Sequence, residues 1–289
     1  MAAKHDKVII TAALAGAATM KHQNPNVPYT RDEFVSEAVK CYENGASIVH
    51  IHARDPETGL PTANLDILGA IIEGIRAECP LVINLSTAIG INAGEDERIS
   101  VVENFKPEMA SLNTNSMNFA VGDWKEHTIM FEMVFRNTFE MLVRYANAMK
   151  EAGTRPELEI YDMGGLYNVL FVRDQGVFVE PLHFQFVWNV LGGMVFSPRN
   201  FSMFLDTIPG DATWSSCGVG PAQFAGAMYA AAVGGHIRVG LEDNIWVWKG
   251  KMAEGSWEQV QRAAMIAKAA DREVATPDET RAMLNLKKP

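Results

Sequence analysis

Apolar and polar residues alternate along this chain in two rhythms, one with a period of two and one near 3.6. The short period marks strands over Val8–Ala13, Ser47–His52, Leu81–Ser86, Met109–Asn113, Glu157–Asp162, His183–Val187, Thr213–Cys217 and His236–Glu242. The longer period marks helices over Arg31–Asn44 behind a Thr30 cap, Leu65–Glu78, Glu95–Asn104 and a long stretch near Thr128–Ala152. Further helical patterns cover Gly165–Asp174, Pro198–Leu205, Pro221–Val233 and Trp257–Arg272. Regular alternation calls for parallel strands joined by right-handed helical crossovers. Eight such units within 289 residues predict an α/β chain that forms a single (β/α)8 TIM barrel over residues 1–289. An open doubly wound sheet is the other architecture that fits. Gly16 stands alone after the first strand, so no glycine-rich dinucleotide fingerprint supports the open sheet.

Side-chain parity locates the chemistry. In the last strand Ile237, Val239 and Leu241 form the apolar set, which leaves His236, Arg238, Gly240 and Glu242 on the other face. Val49 and Ile51 oppose His50 and His52; Ile83 and Leu85 oppose Asn84 and Ser86. Leu112 opposes Ser111 and Asn113, while Leu158 and Ile160 oppose Glu159 and Tyr161. Five strands thus send polar groups to one side near their carboxyl ends, where barrel enzymes keep their active sites.

Ionisable groups in an apolar strand are costly unless paired or bound to metal. Two histidines at i and i+2 share a face, and Glu242 from a distant strand completes a His2Glu set typical of catalytic zinc. The same ligands suit iron or manganese, so ligand type alone leaves the ion open. A blander reading is a pair of core histidines hydrogen-bonded to Glu242. His236, deeper in its strand, reads as a core or supporting group.

Other charges group around that set. Arg238 precedes Glu242 on the same strand face and can balance Asp243 or Glu159, or bind a substrate carboxylate. Asp243 is a candidate general base, unless it only caps the next turn. Arg54 and Asp55 precede a Pro/Gly turn and read as structural. Ser86 and Thr87 lack an evident His–Asp partner and fit hydrogen-bond donation to substrate oxygens better than nucleophilic attack. Gly218-Val219-Gly220-Pro221 opens a helix and is either a phosphate cradle or a plain tight turn. The Met and aromatic residues of Met130–Tyr145 read as core or subunit interface, and Trp246 and Trp248 as pocket wall or packing.

Composition narrows the class. The chain is 48% hydrophobic and 21% charged with a net charge of −10, which disfavours nucleic acid as a partner. No apolar run approaches the ~20 residues that span a bilayer, and Met1–Lys7 carries no separate signal-peptide core. Cys41, Cys79 and Cys217 are few and scattered, as in a reduced, cytoplasmic protein, although Cys217 beside Ser215 and Ser216 is also a candidate nucleophile.

These residues resemble the β-keto acid cleavage enzymes. The resemblance rests on Thr11-Ala12-Ala13-Leu14, Asn24-Pro25-Asn26-Val27-Pro28-Tyr29-Thr30, Ala46–Asp55 with its paired histidines, and Asn84-Leu85-Ser86-Thr87. Pro156-Glu157-Leu158-Glu159, Gly218-Val219-Gly220 and Arg238–Asn244 complete it. It implies a zinc-bearing (β/α)8 barrel, commonly tetrameric, that converts a β-keto acid and acetyl-CoA into acetoacetate and a new acyl-CoA. It also implies His50, His52 and Glu242 as metal ligands, Asp243 as base, Arg238 as its partner and Ser86 near the reacting thioester. Thr11, Thr87, Asn113 and Glu159 are then expected around the substrate. Many members carry an acidic residue where this chain has Ala18, a position that bears on recognition of an amino substrate. Two other readings stay open on the residues alone: a metal-dependent aldolase or hydrolase that needs no CoA, and a metabolite-binding protein without turnover.

Overall fold

The computed structural model describes residues 6–90, 93–123 and 126–287. Eight strands close into a parallel barrel: β1 (Ile10–Ala13), β2 (Ile48–Ile51), β3 (Val82–Leu85), β4 (Met109–Asn113), β5 (Arg155–Ile160), β6 (His183–Trp188), β7 (Thr213–Gly218) and β8 (His236–Val239). Each pairs with its neighbours in chain order, and β8 returns to β1 through Arg238 beside Thr11. The expected TIM barrel is therefore the observed one, and the open sheet is excluded.

Local sequence explains where the helices start. Thr30 caps α1 (Arg31–Glu43) in a reciprocal capping box with Glu33, and Asn64 caps α2 (Leu65–Glu78). Then come α3 (Glu95–Phe105), α4 (Phe139–Ala152), α5 (Met163–Arg173), α6 (Pro198–Thr207), α7 (Ala222–Val233) and α8 (Ser256–Ala269). Outward side chains such as Val49, Ile51, Ile83, Leu85, Ile237 and Val239 join one large core with these helices. Each fully buried aliphatic side chain there contributes roughly 1.5–3 kcal/mol. On β6, Phe184, Phe186 and Trp188 face outward into an aromatic wall; Phe186 stacks on Trp214 at 5.7 Å and Trp188 on Phe201 at 5.1 Å. That wall fixes the parity of β6, since a one-residue slip would turn it inside out.

The long helix expected near Thr128–Ala152 is two elements. Thr128–Phe135 is a strand of an antiparallel hairpin with Met117–Asp123, and the helix begins only at Phe139, where the Thr138 side chain accepts from Met141 N–H. The exposure of residues 128–135 follows the strand period, and pairing with the preceding segment overrides the helical spacing of their methionines and aromatics. Ile129, Met130 and Val134 are exposed on it, so this half of the segment is not core. The first strand also starts later than expected: Lys7–Val8 pair with Glu273–Val274, outside the barrel. A further described helix, α9 (Pro277–Met283), goes unpredicted by the apolar pattern despite its Thr276–Glu279 capping box. It closes the amino-terminal end of the barrel, where Leu284 joins Ile9, Ile48, Val82 and Met109 in an apolar plug.

Candidate functional site

The opposite end is polar. His50 and His52 follow Ile48 on the inward face at the end of β2, both buried, with ring centroids 5.1 Å apart. Glu242 reaches them from beyond β8, which ends at Val239 rather than at Glu242 as expected. The chain turns at Gly240, whose φ is +156°; a Cβ there would stand 1.9 Å from the Ala13 carbonyl oxygen. Glu242 N–H then donates to that same carbonyl at 3.2 Å, which hangs the carboxylate over the mouth. Gly16, with φ of +62°, makes room for it, since a Cβ there would lie 2.4 Å from Glu242 Cγ. Glu242 Oε1 lies 3.4 Å from His52 Nε2 and 3.8 Å from His50 Nε2. One ligand atom from each of the three residues falls within 4.8 Å of the others.

Arg238 organises the carboxylates. Its Nε and Nη2 donate to the two oxygens of Asp243 at 2.9 and 3.0 Å, a bidentate fork. Nη2 also donates to Glu242 Oε1 at 2.5 Å, and Nη1 donates to Gln185 Oε1 at 3.1 Å with Glu159 at 3.7 Å. The backbone carbonyl of Asp243 accepts from Gly220 N–H at 2.8 Å. Both the side chain and the backbone of Asp243 are thereby held.

Electrostatics follow from this burial. Desolvation drives the His50 imidazole well below its usual range, toward the neutral form that ligates metals. Burial pushes Glu242 up, but Arg238 and the two histidines outweigh it and hold the carboxyl well below the ordinary value. Burial raises Asp243 against the pull of Arg238. Burial likewise pushes Glu157 up to about 7 and Glu159 to about 8. Four acids, Glu157, Glu159, Glu242 and Asp243, thus share one guanidinium, and a divalent cation would offset the negative charge that Arg238 leaves over.

Two further observations fit a metal between these side chains. Glu242 Oε2 is buried and has no hydrogen-bond partner among the described residues, as expected of a lone pair aimed at a cation. The donor set, two imidazoles and one carboxylate, has the composition of a catalytic site with open positions.

The remaining predicted residues separate by what they touch. Asn113 is buried with both amide atoms unpartnered among the described residues, so its donor and acceptor are available to a ligand. Ser86 Oγ accepts from Ala88 N–H at 3.0 Å and keeps its own proton for another acceptor. Thr87, expected to donate to substrate, commits its hydroxyl to the Ser111 carbonyl at 2.8 Å and accordingly joins β3 to β4. Thr11 is buried in register with Arg238, and Glu159 in register with Asn113 and Gln185. Ala18 is exposed in the turn that follows Gly16.

Contacts in the loops decide the roles of the residues around the mouth. Gly218–Gly220 is a tight turn: Val219 N–H donates to Trp188 O and Gly220 N–H to Asp243 O, so these amides hold protein and not phosphate. Arg54 is fully buried and bonds Gly59, Ala15 and Thr19 carbonyls, tying both ends of the Gly16 loop, while Asp55 caps its own turn. His236 Nδ1 accepts from Ile9 N–H at 3.2 Å, the supporting role expected. Burial pushes the Cys217 thiol well up, against a nucleophilic role. Trp246 and Trp248 are exposed, and Trp248 packs on Arg262. Sequence reading misses Gln185 and Glu157, although both stand at inward positions of alternating strands.

A family model of the beta-keto acid cleavage enzymes matches residues 7–286. The chain belongs to that family. Among the beta-keto acid cleavage enzymes and their relatives it is 39% identical to the 3-keto-5-aminohexanoate cleavage enzyme of Fusobacterium nucleatum subsp. nucleatum, over 98% of this chain and 99% of that one. It is 36% identical to a 3,5-dioxohexanoate:acetyl-CoA acetone transferase of Paraburkholderia graminis, over 97% and 96%. The solved structure of ObcA with oxaloacetate superposes with a TM-score of 0.74 at 22% identity, covering 91% of this chain and 68% of that one; it shares the fold. The resemblance read from the His50/His52 strand and the Gly240–Asn244 segment is therefore shown over nearly the whole chain. No helix among the described residues is long and apolar enough to cross a membrane.

Proposed function

We propose that this beta-keto acid cleavage enzyme uses a divalent metal, zinc by the resemblance, to exchange acyl groups between a β-keto acid and acetyl-CoA. The products are acetoacetate and a new acyl-CoA. The observation that carries the reading is the meeting of His50, His52 and Glu242 beside a carboxylate, Asp243, that a buried guanidinium holds by both oxygens. Bound there, the metal would supply Lewis acidity toward the keto acid's oxygens.

The protein's own groups carry the proton and the geometry. Asp243, raised by burial and aimed by Arg238, takes a proton from the carbon between the two carbonyls of the substrate. That carbon forms a bond to the acetyl carbonyl and CoA thiolate leaves. Ser86 and Asn113 donate to the carbonyl oxygen as its charge develops. The thiolate then attacks the distal keto carbon, the original carbon–carbon bond breaks, and acetoacetate takes its proton back from Asp243. Thr11 and Glu159 line the same interior. Ala18 offers no charge for a distal ammonium, so we assign a keto acid without one. The names of relatives cover several distal groups on one shared reaction, which supports leaving the distal group as the variable part.

We also take the enzyme to be cytoplasmic and to work as a homo-oligomer, a tetramer by the resemblance; the exposed Ile129, Met130 and Val134 of the hairpin support an assembled state. The deciding experiment combines elemental analysis of purified protein with a panel of β-keto acids. Acetoacetate should appear only when acetyl-CoA is present. Turnover without CoA would replace this reading with an aldolase or hydrolase.

A further inference from the structure

Beneath the mouth lies a run of buried amides and acids that the reaction above leaves unassigned. Gln185 and Glu157 are both fully buried, and Asn84 is equally buried in register with His50. Gln185 Oε1 accepts from Arg238 Nη1 at 3.1 Å, while its Nε2 donates to Glu157 Oε1 at 2.8 Å and lies 3.3 Å from Ser215 Oγ. Glu157 Oε2 accepts from Asn84 Nδ2 at 2.9 Å.

The order of donors and acceptors along this run is forced. A guanidinium only donates, so the amide oxygen of Gln185 must face Arg238. Its NH2 must then face Glu157, whose two oxygens each receive an N–H as a carboxylate would. Flipping the amide would set NH2 against guanidinium and oxygen against carboxylate, two repulsive contacts at once. Gln185 gives the Arg238 guanidinium an uncharged partner on the edge remote from Asp243. The aromatic wall behind β6 keeps Gln185 inward.

The geometry points to Gln185 and Glu157 as positioning residues: Glu157 holds the Gln185 amide one way round, Gln185 fixes the plane of Arg238, and Arg238 aims Asp243. This rests on the reading of Asp243 as the base. Neither residue is required to touch substrate.

Three isosteric variants test it. Gln185→Glu sets two carboxylates together and should lower kcat roughly 10- to 100-fold, the scale of a small misplacement of a catalytic group. KM for both substrates should stay within about threefold, since binding groups are untouched. Glu157→Gln should lower kcat less, because Asn84 can turn its unpartnered Oδ1 toward the new amide. The double variant Gln185→Glu/Glu157→Gln rebuilds the run with the acid and amide exchanged, and should recover most of the kcat lost in Gln185→Glu. Exchange of the keto acid's α-protons in D2O without acetyl-CoA, followed by NMR, should fall and recover in step. A purely structural role would move melting temperature and leave that exchange rate alone. Full kcat in Gln185→Glu, or a double variant no better than that single one, overturns the proposal. If the wild type converts no β-keto acid, the functional reading fails separately. The Nε–Hε NMR signal of Arg238 then still decides: protected in the wild type and the double variant, exposed in Gln185→Glu, or else the proposal falls.

Discussion

The two ends of this barrel are made from the same strands and obey opposite rules. At the amino-terminal end Ile9, Ile48, Val82 and Met109 meet Leu284, and the buried acid of that region, Glu108, is matched by Arg281 at 2.6 Å and by Ile83 N–H. That acid has its counter-ion. At the carboxyl end, further along the same inward faces, acids outnumber bases, and Asn113 and Glu242 keep buried atoms without partners among the described residues. Balanced burial makes a base that stabilises; unbalanced burial makes a mouth that waits for ligand.

The contrast can be broken most severely at the mouth. Glu242→Gln should remove bound metal and lower turnover by at least roughly a thousandfold, while the fold persists. Metal content and kcat measured on one sample check this; full activity with no metal would end the metal assignment.

At the base the effects should appear in stability instead. Arg281→Met leaves Glu108 buried with its charge unmatched, which costs about 3 kcal/mol. Chemical denaturation should show that loss, with kcat per folded molecule unchanged.

A third test uses pH. Glu157 and Glu159 have folded values of about 7 and about 8, above the ordinary 4.5. The unfolded chain therefore releases these protons first as pH rises. Their contribution is fully present below about pH 4.5 and is lost as pH climbs through 7 to 8. Metal-free protein should lose stability steadily over that whole window, at about 1.4 kcal/mol for each unit by which the two folded values exceed the unfolded one. Glu159→Gln should flatten the slope, and added zinc should oppose it. A flat stability profile in the metal-free wild type would show that the mouth is not acid-rich in the way described.

The smallest effect is expected from Leu284→Ala in the plug, roughly 2–3 kcal/mol at most if the site stays rigid and less if α9 settles into the gap. Thermal unfolding should move down by several degrees with no change in bound metal. Metal loss in that variant would mean the two ends are coupled.

Much of this is readable in the residues. Period-two alternation places His50, His52, Asn113 and Glu159 on one face because strand geometry is local, and the eight repeats announce the barrel. Where local rhythm is ambiguous, reading fails: residues 128–135 show helical spacing of apolar groups and still pair as a hairpin, because an adjacent strand competes for them. Gln185 escapes notice because an uncharged amide raises no alarm in a strand.

What the sequence determined by itself is the inventory and its facing: two imidazoles, Glu159, Glu242 and one guanidinium turned toward a common axis, with Asp243 beside them. What only the tertiary structure decided is which of them touch. Gly16 clears space for Glu242, the Gly220 amide holds Asp243, and Gln185 rather than substrate takes the far edge of Arg238. Those choices depend on how eight strands are staggered around a closed circle, and stagger is a property of the whole ring that no single strand encodes.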